Sequence, residues 1–319
     1  MARSRTAPML AVAWDRPFSD PDWWFEPKWD GIRCRVEWNG TDLRLLSRTG
    51  RQMSYPEFGP PTEAPVVLDA EIVALDEEGK PSFQLLQSRL NLGGSRTTEA
   101  ARSAPIVGFV FDLLALDGED LTKRSFAERR DRLEALDLAP PWFLTTGMAG
   151  DGDAMWATIE EQGLEGMVAK RLDSPYRPDV RSADWRKIVR YRSVRAVVGG
   201  FTAGEGGRAD TFGSLVLGQW DGDALRWVGQ VGTGFDDAAL AAIRTALDEM
   251  TTEADPFHAD PELPDATFVE PRLVAHVRIK EWTFEGRLRH PSFKGFGPED
   301  PAAITWDAEG PGSPYPSPT

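Results

Sequence analysis

Cysteine and histidine are scarce in this chain of 319 residues, which contains one cysteine, Cys34, and three histidines. A single cysteine excludes an intramolecular disulfide. The histidines, His258, His276 and His290, lack the spacing of a zinc site. No thiol mechanism has partner residues here, so Cys34 is expected to be a small apolar residue of a sheet. Neither disulfide, zinc nor thiol chemistry is therefore expected.

Long apolar runs are also missing. No stretch of about 18 consecutive apolar residues occurs, which predicts that no helix spans a membrane. The N-terminus MARSRTAPML is basic, but no hydrophobic segment of signal-peptide length follows it. An apolar content of 41% and a charged content of 27% are typical of a soluble globular protein. We therefore expect a cytoplasmic localisation.

The net charge of −15 argues, by itself, against a nucleic-acid partner, because phosphate binding needs lysine and arginine. The distribution of charge changes that interpretation. Five basic residues lie within 184–195, a second basic cluster lies within 278–294, and acidic residues gather near 76–79 and 248–265. The sequence thus allows a basic face on an acidic protein, although scattered, solvated charges explain the same composition.

The first part of the chain mixes strands and helices. Residues 1–21 are expected to be an irregular lead-in. Period-two alternation and β-rich apolar runs predict strands over Ile32–Trp38, Val66–Leu75, Ile106–Leu116 and Leu164–Lys170. Helical spacing is found over Phe83–Leu90, Ser125–Leu136 and Asp153–Gln162. Because helices do not alternate regularly with these strands, an α+β fold with antiparallel sheets is favoured over a doubly wound parallel sheet.

The pattern of predicted secondary structure changes near Val194. Short strands punctuated by glycine follow, then a helix over Asp236–Glu249 and a last long strand over Leu273–Thr283. Several short strands with one helix predict a small barrel of the OB type. The final residues, DAEGPGSPYPSPT, have the composition of a disordered tail. A domain boundary is expected within 190–196.

The most distinctive local motif is EPKWDGIR, from Glu26 to Arg33, in which Lys28 lies between a strand-like segment and an Asp-Gly turn. A lysine is a good nucleophile only when it is neutral, and partial burial beside other cations favours that form. Alone, Lys-x-Asp-Gly is a short pattern that an ordinary β-turn also explains.

Further segments follow this motif in order: SRTG (47–50), LDAEIVALD (68–76), FVFDLLALDG (109–118), EGMVAKRLDSPY (165–176) and DWRK (184–187). In this order and spacing, the sequence resembles the covalent nucleotidyltransferase superfamily of ATP-dependent DNA ligases, RNA ligases and mRNA-capping enzymes. EWTFEGRLRHPSF (281–293) makes it most similar to the ligase domain of bacterial end-joining ligases and their short stand-alone relatives. The resemblance spans roughly residues 8–305.

The resemblance implies an adenylyltransferase (ATP-grasp-like nucleotidyltransferase) domain over 1–193, an OB-fold domain over 194–305 and a disordered tail over 306–319. It implies an ATP-dependent DNA ligase that seals 5′-phosphate/3′-hydroxyl nicks through a lysyl-AMP intermediate, in DNA repair. The implied cofactors are ATP, bound covalently as AMP, and Mg²⁺ or Mn²⁺. The implied partners are nicked duplex DNA and end-joining proteins such as Ku, with no membrane, and the protein is expected to be a monomer.

The resemblance also implies roles around the nucleoside. Lys28 matches the lysine that accepts AMP, and Glu26 lies where the chain meets the adenine edge. Arg33 matches the arginine that contacts the ribose and the substrate ends. Glu71 matches the carboxylate near the ribose hydroxyl and the metal, and Phe111 matches the aromatic residue that stacks on adenine.

The remaining roles concern charge. Glu165 matches a metal-binding carboxylate, whereas Arg48, Lys170 and Lys187 match phosphate-binding residues. These assignments suit the chemistry, since attack on ATP requires its phosphate charges to be neutralised and Mg²⁺ prefers oxygen ligands. Nucleic-acid contacts are expected from Arg190, Arg192, Arg289 and Lys294. Taken singly, each residue also has an ordinary structural explanation, as a core side chain, an ion-pair partner or a surface charge.

Two segments depart from the family's pattern. The family's fifth motif is usually Trp-x-Lys-x-Lys, but Val189 stands here at the second lysine and Arg190 follows it. Because alternate strand residues share a face, Arg190 can replace that lysine only if a bulge rotates it inward or if its long side chain curls around the strand end, and we expect that it does replace it. The late motif lacks the family's arginine and final lysine over 297–300, which puts the efficiency of self-adenylation in question.

Two alternatives to a DNA ligase stay open. An RNA ligase or a capping-type nucleotidyltransferase shares the same core. A non-catalytic nucleic-acid-binding scaffold would account for the altered motifs, although Lys28, Glu71 and Glu165 are intact and argue against it.

Overall fold

The computed structural model describes residues 7–90, 105–260 and 262–312. They belong to two compact units, which divide between Arg190 and Tyr191. Across these residues, no helix combines the length and apolar character that crossing a membrane requires.

The first unit contains three helices among its described residues: α1 (Phe83–Leu90), α2 (Phe126–Glu134) and α3 (Gly152–Gln162). Its strands are β1 (Leu10–Ala13), β2 (Asp20–Pro27), β3 (Ile32–Trp38), β4 (Leu43–Ser47), β5 (Gln52–Met53), β6 (Val66–Ala74), β7 (Ile106–Leu116), β8 (Glu119–Asp120), β9 (Trp142–Leu144), β10 (Met148–Gly150), β11 (Gly166–Arg171) and β12 (Arg181–Val189). The strands and helices predicted for this region are confirmed to within a few residues.

Two sheets build this unit. The first sheet has the order β1-β12-β11-β2-β10, and the second has the order β5-β4-β3-β6-β7-β8, with β9 also pairing β7. Apart from the parallel pairs β1–β12 and β7–β9, the strands are antiparallel. The predicted α+β fold with antiparallel sheets is therefore confirmed.

Period-two alternation divides the second sheet into an apolar and a charged face. On β6, Leu68, Ala70 and Ile72 are fully buried in the core, whereas Asp69 and Glu71 point the other way because strand side chains alternate. The same rule applies to β3, where Cys34 is fully buried and Arg33 pairs opposite Glu71. Burial raises the pKa of the Cys34 thiol, which makes it unreactive. The charged face therefore carries the side chains that line the cavity described below.

Helices α2 and α3 pack against these sheets. A capping box between Ser125 and Glu128 begins α2, and Arg129 from its buried side forms a bidentate pair with Asp112 of β7 at 2.8 and 2.9 Å. Both charges of this pair are fully buried. Removing either residue would leave the other charge buried without a partner and would lower the free energy of unfolding by about 3–5 kcal/mol. Helix α3 ends at Gly163, which has the left-handed conformation typical of a helix C-terminus.

The second unit consists of β13 (Arg192–Ala203), β14 (Phe212–Asp221), β15 (Ala224–Val231), α4 (Asp237–Glu249), β16 (Thr267–Phe268), β17 (Val274–Ile279), β18 (Glu281–Trp282), β19 (Leu288–Arg289), β20 (Ser292–Gly297) and α5 (Trp306–Glu309), with two short 3₁₀ turns. Its main sheet has the order β15-β14-β13-β17-β20, with β16 added beside β13. Bulges interrupt the long strand β13, which helps the sheet to curl. The curled sheet fits the predicted OB fold.

Three details differ from the sequence-based expectations. The lead-in contains β1, which pairs in parallel with β12. The last long strand is broken at Lys280, between β17 and β18. The predicted tail begins with α5, where Trp306 packs on the core of the unit and Glu309 is buried. Residues 313–319 of that tail lie outside the described residues.

Candidate active site

A cavity of about 240 Å³ lies in the first unit, and the predicted nucleotide-contacting residues line it. It is lined by Glu26, Lys28, Arg33, Arg48, Glu71, Phe111, Lys170 and Lys187. It is also lined by residues that the sequence motifs did not single out: Leu10, Ala11, Pro27, Trp29, Val168, Arg181 and Trp185. Residues of both sheets contribute to its lining.

Lys28 is placed by the pairing of β2 with β11. Its backbone N–H donates to the carbonyl of Gly166 at 2.8 Å, which brings it beside Glu165. The side chains then meet, with Lys28 Nζ 2.5 Å from Glu165 Oε2. The Lys28 side chain is 24% exposed and lines the cavity, whereas that of Glu165 is 8% exposed and lies behind Lys28, outside the cavity lining.

Two glycines make this close approach possible. A Cβ on Gly31 would lie 2.1 Å from the carbonyl oxygen of Ile72, and a Cβ on Gly166 would lie 2.1 Å from that of Ile188. Any larger residue would push the strands apart. The glycines of the Lys-x-Asp-Gly and Glu-Gly motifs are therefore required by backbone packing around the nucleophile.

Glu71 lies on the charged face of β6, close to both members of the Lys28–Glu165 pair. Burial raises the pKa of Glu71 to about 8, and the negative charge of Glu165 contributes, although Arg33 and Lys28 oppose the shift. A divalent cation beside Glu71 and Glu165 would offset the repulsion that contributes to the raised pKa of Glu71.

The donor chemistry of Glu71 and Glu165 therefore fits the implied Mg²⁺ or Mn²⁺. In the part of the chain that the structure describes, no group of three or more histidine, cysteine or carboxylate side chains could hold a metal ion. A cation at these two carboxylates would complete its coordination with nucleotide phosphates and water.

Glu26 and Lys170 form a buried pair on the inner side of the cavity. Lys170 Nζ lies 2.5 Å from Glu26 Oε1, and their side chains are 1% and 2% exposed. Trp24 Nε1 donates to the second carboxylate oxygen at 3.1 Å. Burial raises the pKa of Glu26, against the opposing charge of Lys170. Lys170 also donates to the Phe111 carbonyl at 2.9 Å, so its ammonium has partners inside the protein, and its contact with phosphate stays a prediction.

Phe111 is the extra residue of a bulge, since Asp69 pairs with Asp112 while Ala70 pairs with Val110. Bulges beside active sites redirect side chains in this way. The Phe111 ring is 7% exposed, and cations of Arg33 and Lys170 lie over it at 4.7 and 4.6 Å from its centroid. The ring lines the cavity in a largely covered position, and its stacking on adenine stays a prediction.

Arg33 also lies at the inner end of the cavity. Its guanidinium forms a bidentate pair with Asp69, at 2.6 Å for both contacts, and this charge raises the pKa of Arg33 against the effect of burial. The predicted contact of Arg33 with ribose and substrate ends therefore involves a guanidinium that Asp69 already neutralises.

A cluster of cations surrounds the opening of the cavity. The pKa of Lys187 is lowered, first by burial and then by the positive charges of Lys28, Arg181 and Arg48. Positive charges that repel one another in this way favour binding of a polyanion. The cluster therefore has the electrostatic character that a triphosphate requires.

Arg181 is the cavity cation that the motifs missed. Its Nη1 donates to the Ala11 carbonyl at 2.6 Å. It lies on β12 six residues before Lys187, and this even separation was the available signal, because residues separated by an even number share a strand face.

Arg190 does not follow the sequence-based expectation that it curls inward to replace the second phosphate lysine. Its Nε donates to the carbonyl of Leu164 at 3.0 Å and its Nη2 donates to that of Gly163 at 3.0 Å. The guanidinium thus caps the C-terminal end of α3, where a positive charge is favourable. The alternation along β12 turns Arg190 away from Lys187, and the helix end supplies it with closer partners.

The other residues predicted to contact nucleic acid lie in the second unit. Arg289 pairs with Glu281, and Lys294 is exposed on β20. Burial and, secondly, the charge of Arg278 lower the pKa of Lys294, so these two cations lie close together. Arg192 begins β13 in a partly exposed position. Their contacts with nucleic acid stay predictions.

Comparison with known proteins gives consistent matches along the chain. A family model described as ATP dependent DNA ligase domain matches residues 8–188. A second, described as ATP dependent DNA ligase C terminal region, matches residues 208–299. Both halves of the chain are therefore similar to ATP-dependent DNA ligases.

Individual relatives agree with these models. The multifunctional non-homologous end joining protein LigD of Mycolicibacterium smegmatis is 38% identical over 312 residues, which cover 94% of this chain and 40% of LigD. DNA ligase C2 of the same organism is 36% identical over 299 residues, which cover 83% of each protein. A solved structure of mycobacterial DNA ligase D complexed with ATP and MES is 34% identical, with a TM-score of 0.54 and coverage of 96% of this chain and 99% of that chain. The chain spans about two fifths of the length of its LigD relatives.

Proposed function

The chain belongs to the family of ATP-dependent DNA ligases, and on this basis we propose that it seals nicks in duplex DNA through an AMP held covalently on Lys28. The observation that carries the proposal is the position of Lys28, which lines a cavity ringed by cations and meets Glu165 at 2.5 Å. A nucleophilic lysine, an adjacent carboxylate and a phosphate-attracting surface are the parts that adenylyl transfer needs.

In the first step, the lone pair of Lys28 Nζ attacks the α-phosphorus of ATP. A nitrogen–phosphorus bond forms and the bond to pyrophosphate breaks. The ammonium must first release a proton, and the Glu165 carboxylate lies within hydrogen-bond distance to receive it. Arg48, Arg181 and Lys187 offset the charge of the departing pyrophosphate. A divalent cation at Glu71 and Glu165 would supply further neutralisation of phosphate charge.

In the next step, an oxygen of the 5′-phosphate attacks the phosphorus of lysyl-AMP, so that the adenylyl group passes to the DNA end, a phosphoanhydride bond forms and the nitrogen–phosphorus bond to Lys28 breaks. A 3′-hydroxyl then displaces AMP and joins the strands. The buried Glu26–Lys170 pair lies at the inner end of the cavity. In the proposed function, the chain at Glu26 meets the edge of adenine and so contributes to the selection of ATP over other nucleotides.

The LigD relatives, which are named as non-homologous end joining proteins, suggest the biological setting. We propose that this ligase acts on DNA breaks in end-joining repair, as a monomer that receives DNA ends from proteins such as Ku. Co-sedimentation of the ligase with Ku bound to blunt duplex would test the partner, since a ligase that sediments alone in the presence of Ku–DNA would contradict it.

The central test uses ATP labelled at the α-phosphate. Wild-type protein with Mg²⁺ should become labelled, and Lys28→Ala should not. The Lys28→Ala variant should still join a nick that already carries AMP on its 5′-phosphate, because that step needs no lysyl-AMP. Label on Lys28→Ala would overturn the assignment. Parallel reactions with labelled GTP and with nicked RNA distinguish a capping enzyme and an RNA ligase from a DNA ligase.

A further inference from the structure

Four groups form a closed ring of hydrogen bonds at the inner end of the cavity. The Met9 backbone N–H donates to the Tyr176 hydroxyl at 3.1 Å, and that hydroxyl donates to Asp69 Oδ2 at 2.6 Å. Arg33 Nη2 donates to the same oxygen at 2.6 Å and to the Met9 carbonyl at 3.2 Å. Both backbone groups of Met9 are thus held by side chains that lie far away in the sequence.

The ring is buried and leaves little freedom to its members. Met9, Asp69 and Tyr176 are 0%, 1% and 4% exposed. The Tyr176 ring also packs edge-on against Trp185, at 5.7 Å between centroids, and Trp185 lines the cavity. In such surroundings water does not replace a lost partner, so the loss of one hydrogen bond leaves a buried polar group unpaired and weakens the adjacent hydrogen bonds of the ring.

The ring joins the two sheets that enclose the cavity. Met9 immediately precedes β1, the edge strand of the first sheet, whereas Asp69 and Arg33 belong to the second sheet. The next two residues of the chain, Leu10 and Ala11, line the cavity. The Ala11 carbonyl also accepts from Arg181 at 2.6 Å. One wall of the cavity and one of its cations therefore depend on where β1 lies.

We propose that Tyr176 is a positioning residue for the nucleotide, because its hydroxyl couples the wall formed by β1 to Arg33 at the inner end of the cavity. The inference rests on the proposed use of ATP and adds a residue that touches neither the reacting atoms nor the phosphates. Tyr176 acts through the backbone of Met9 and through Asp69. Loss of its hydroxyl should loosen the nucleotide site while Lys28 and Glu165 keep their contact.

The test is Tyr176→Phe, which removes only the hydroxyl. We expect the Kd for α,β-methylene ATP and the KM for ATP in self-adenylation to rise about tenfold, with kcat within about threefold of wild type. Exchange of the Met9 amide hydrogen should accelerate, because its acceptor is gone. Tyr55→Phe is the matched control, since Tyr55 packs against Phe58 in the core of the second sheet, and it should leave Kd and KM unchanged.

A purely structural role for Tyr176 makes a different prediction. It would lower the melting temperature and the fraction of active enzyme, but the folded molecules would bind nucleotide normally. Unchanged Kd and KM in folded Tyr176→Phe would therefore overturn the proposal. Asp69→Asn, which keeps one acceptor oxygen for Tyr176, provides a second variant that should raise KM in the same direction. Wild-type protein that binds the analogue but never becomes labelled would instead refute the proposed function, and the Kd comparison would still test the ring.

Discussion

Lys28 and Glu165 are separated by 137 positions in the chain, yet their side chains form a hydrogen bond of 2.5 Å. The contact follows from the pairing of β2 with β11, which places the end of one strand beside the start of the other. An ammonium held in this way cannot attack phosphorus until its proton leaves. The carboxylate that stabilises the resting lysine is therefore also the nearest group that can activate it.

Glu165→Gln should bind nucleotide but form lysyl-AMP about 100-fold more slowly or worse, because the amide can neither accept the proton nor hold a cation well. Single-turnover labelling with ATP measures this rate, and the Kd for α,β-methylene ATP measures binding. Glu160→Gln, an exposed change on α3, is the control. A labelling rate for Glu165→Gln within threefold of wild type would remove Glu165 from the mechanism.

Glu71 should make the stability of the ligand-free protein depend on pH. Its pKa is about 8 when folded against an ordinary value of 4.5, so the folded state binds the proton more tightly than the unfolded state does. Its contribution to stability is complete below pH 4.5 and is lost as pH rises through 8. Glu71→Gln removes this loss.

The expected result is that Glu71→Gln gains stability over wild type as pH rises from 5 to 8.5, by about 4 kcal/mol. Urea unfolding without nucleotide or divalent cation measures the difference, and Glu77→Gln, at an exposed position, controls for the general loss of a carboxylate. A stability difference between Glu71→Gln and wild type that is the same at both pH values would contradict the shifted pKa.

Substitution of Arg190 should affect mainly the stability of the protein, whereas substitution of Arg181 should affect mainly the formation of lysyl-AMP. Arg190→Ala removes two hydrogen bonds to the C-terminal carbonyls of α3 and should cost about 1–2 kcal/mol of unfolding free energy, with lysyl-AMP formation intact. Arg181→Ala removes a cation from the cavity and should slow labelling about tenfold with a smaller change in stability. Thermal unfolding and ATP labelling are measured on both variants. Slow labelling of Arg190→Ala with unchanged stability would show instead that Arg190 contacts phosphate.

Lys294 and Arg278 should contact DNA phosphates in the second unit. If they do, Lys294→Ala and Arg278→Ala should each make the slope of log K against log salt shallower by about 0.9 for nick binding. Fluorescence anisotropy between 50 and 300 mM KCl measures the slope. Arg272→Ala is the control, since Arg272 is exposed but paired with Glu270. If both variants showed the same slope as wild type, Lys294 and Arg278 would not contact DNA phosphates.

Much of the fold could be predicted because its strands carry strong local patterns. The strands Ile32–Trp38 and Ile106–Leu116 were predicted with the bounds that the structure shows. Strand β1 was missed because four residues carry little periodicity and its partner β12 lies about 170 positions away. The long strand predicted over Leu273–Thr283 failed at Lys280, where the chain leaves the sheet to form the β18–β19 hairpin.

The candidate site shows the same division between local and distant information. Motif spacing identified eight of the fifteen residues that line the cavity, since each motif lies at a strand end or on one strand face. Spacing could not show that Lys170 pairs with Glu26 or that Arg190 caps a helix, because those partners come from pairing between separate strands and helices. Tyr176 was part of a motif, but its contact with Met9 could not be predicted, because it involves the backbone of Met9 and not its side chain.

The inertness of Cys34 has a practical consequence for studies of this enzyme. Its sulfur is fully buried and its thiol holds its proton tightly, so thiol-directed dyes should pass over it in the folded state. A single cysteine introduced at an exposed position such as Ser193 could then carry one fluorophore without prior removal of Cys34. The natural protein is in effect a cysteine-free background for single-site labelling, in which engagement of a nick can be followed in real time.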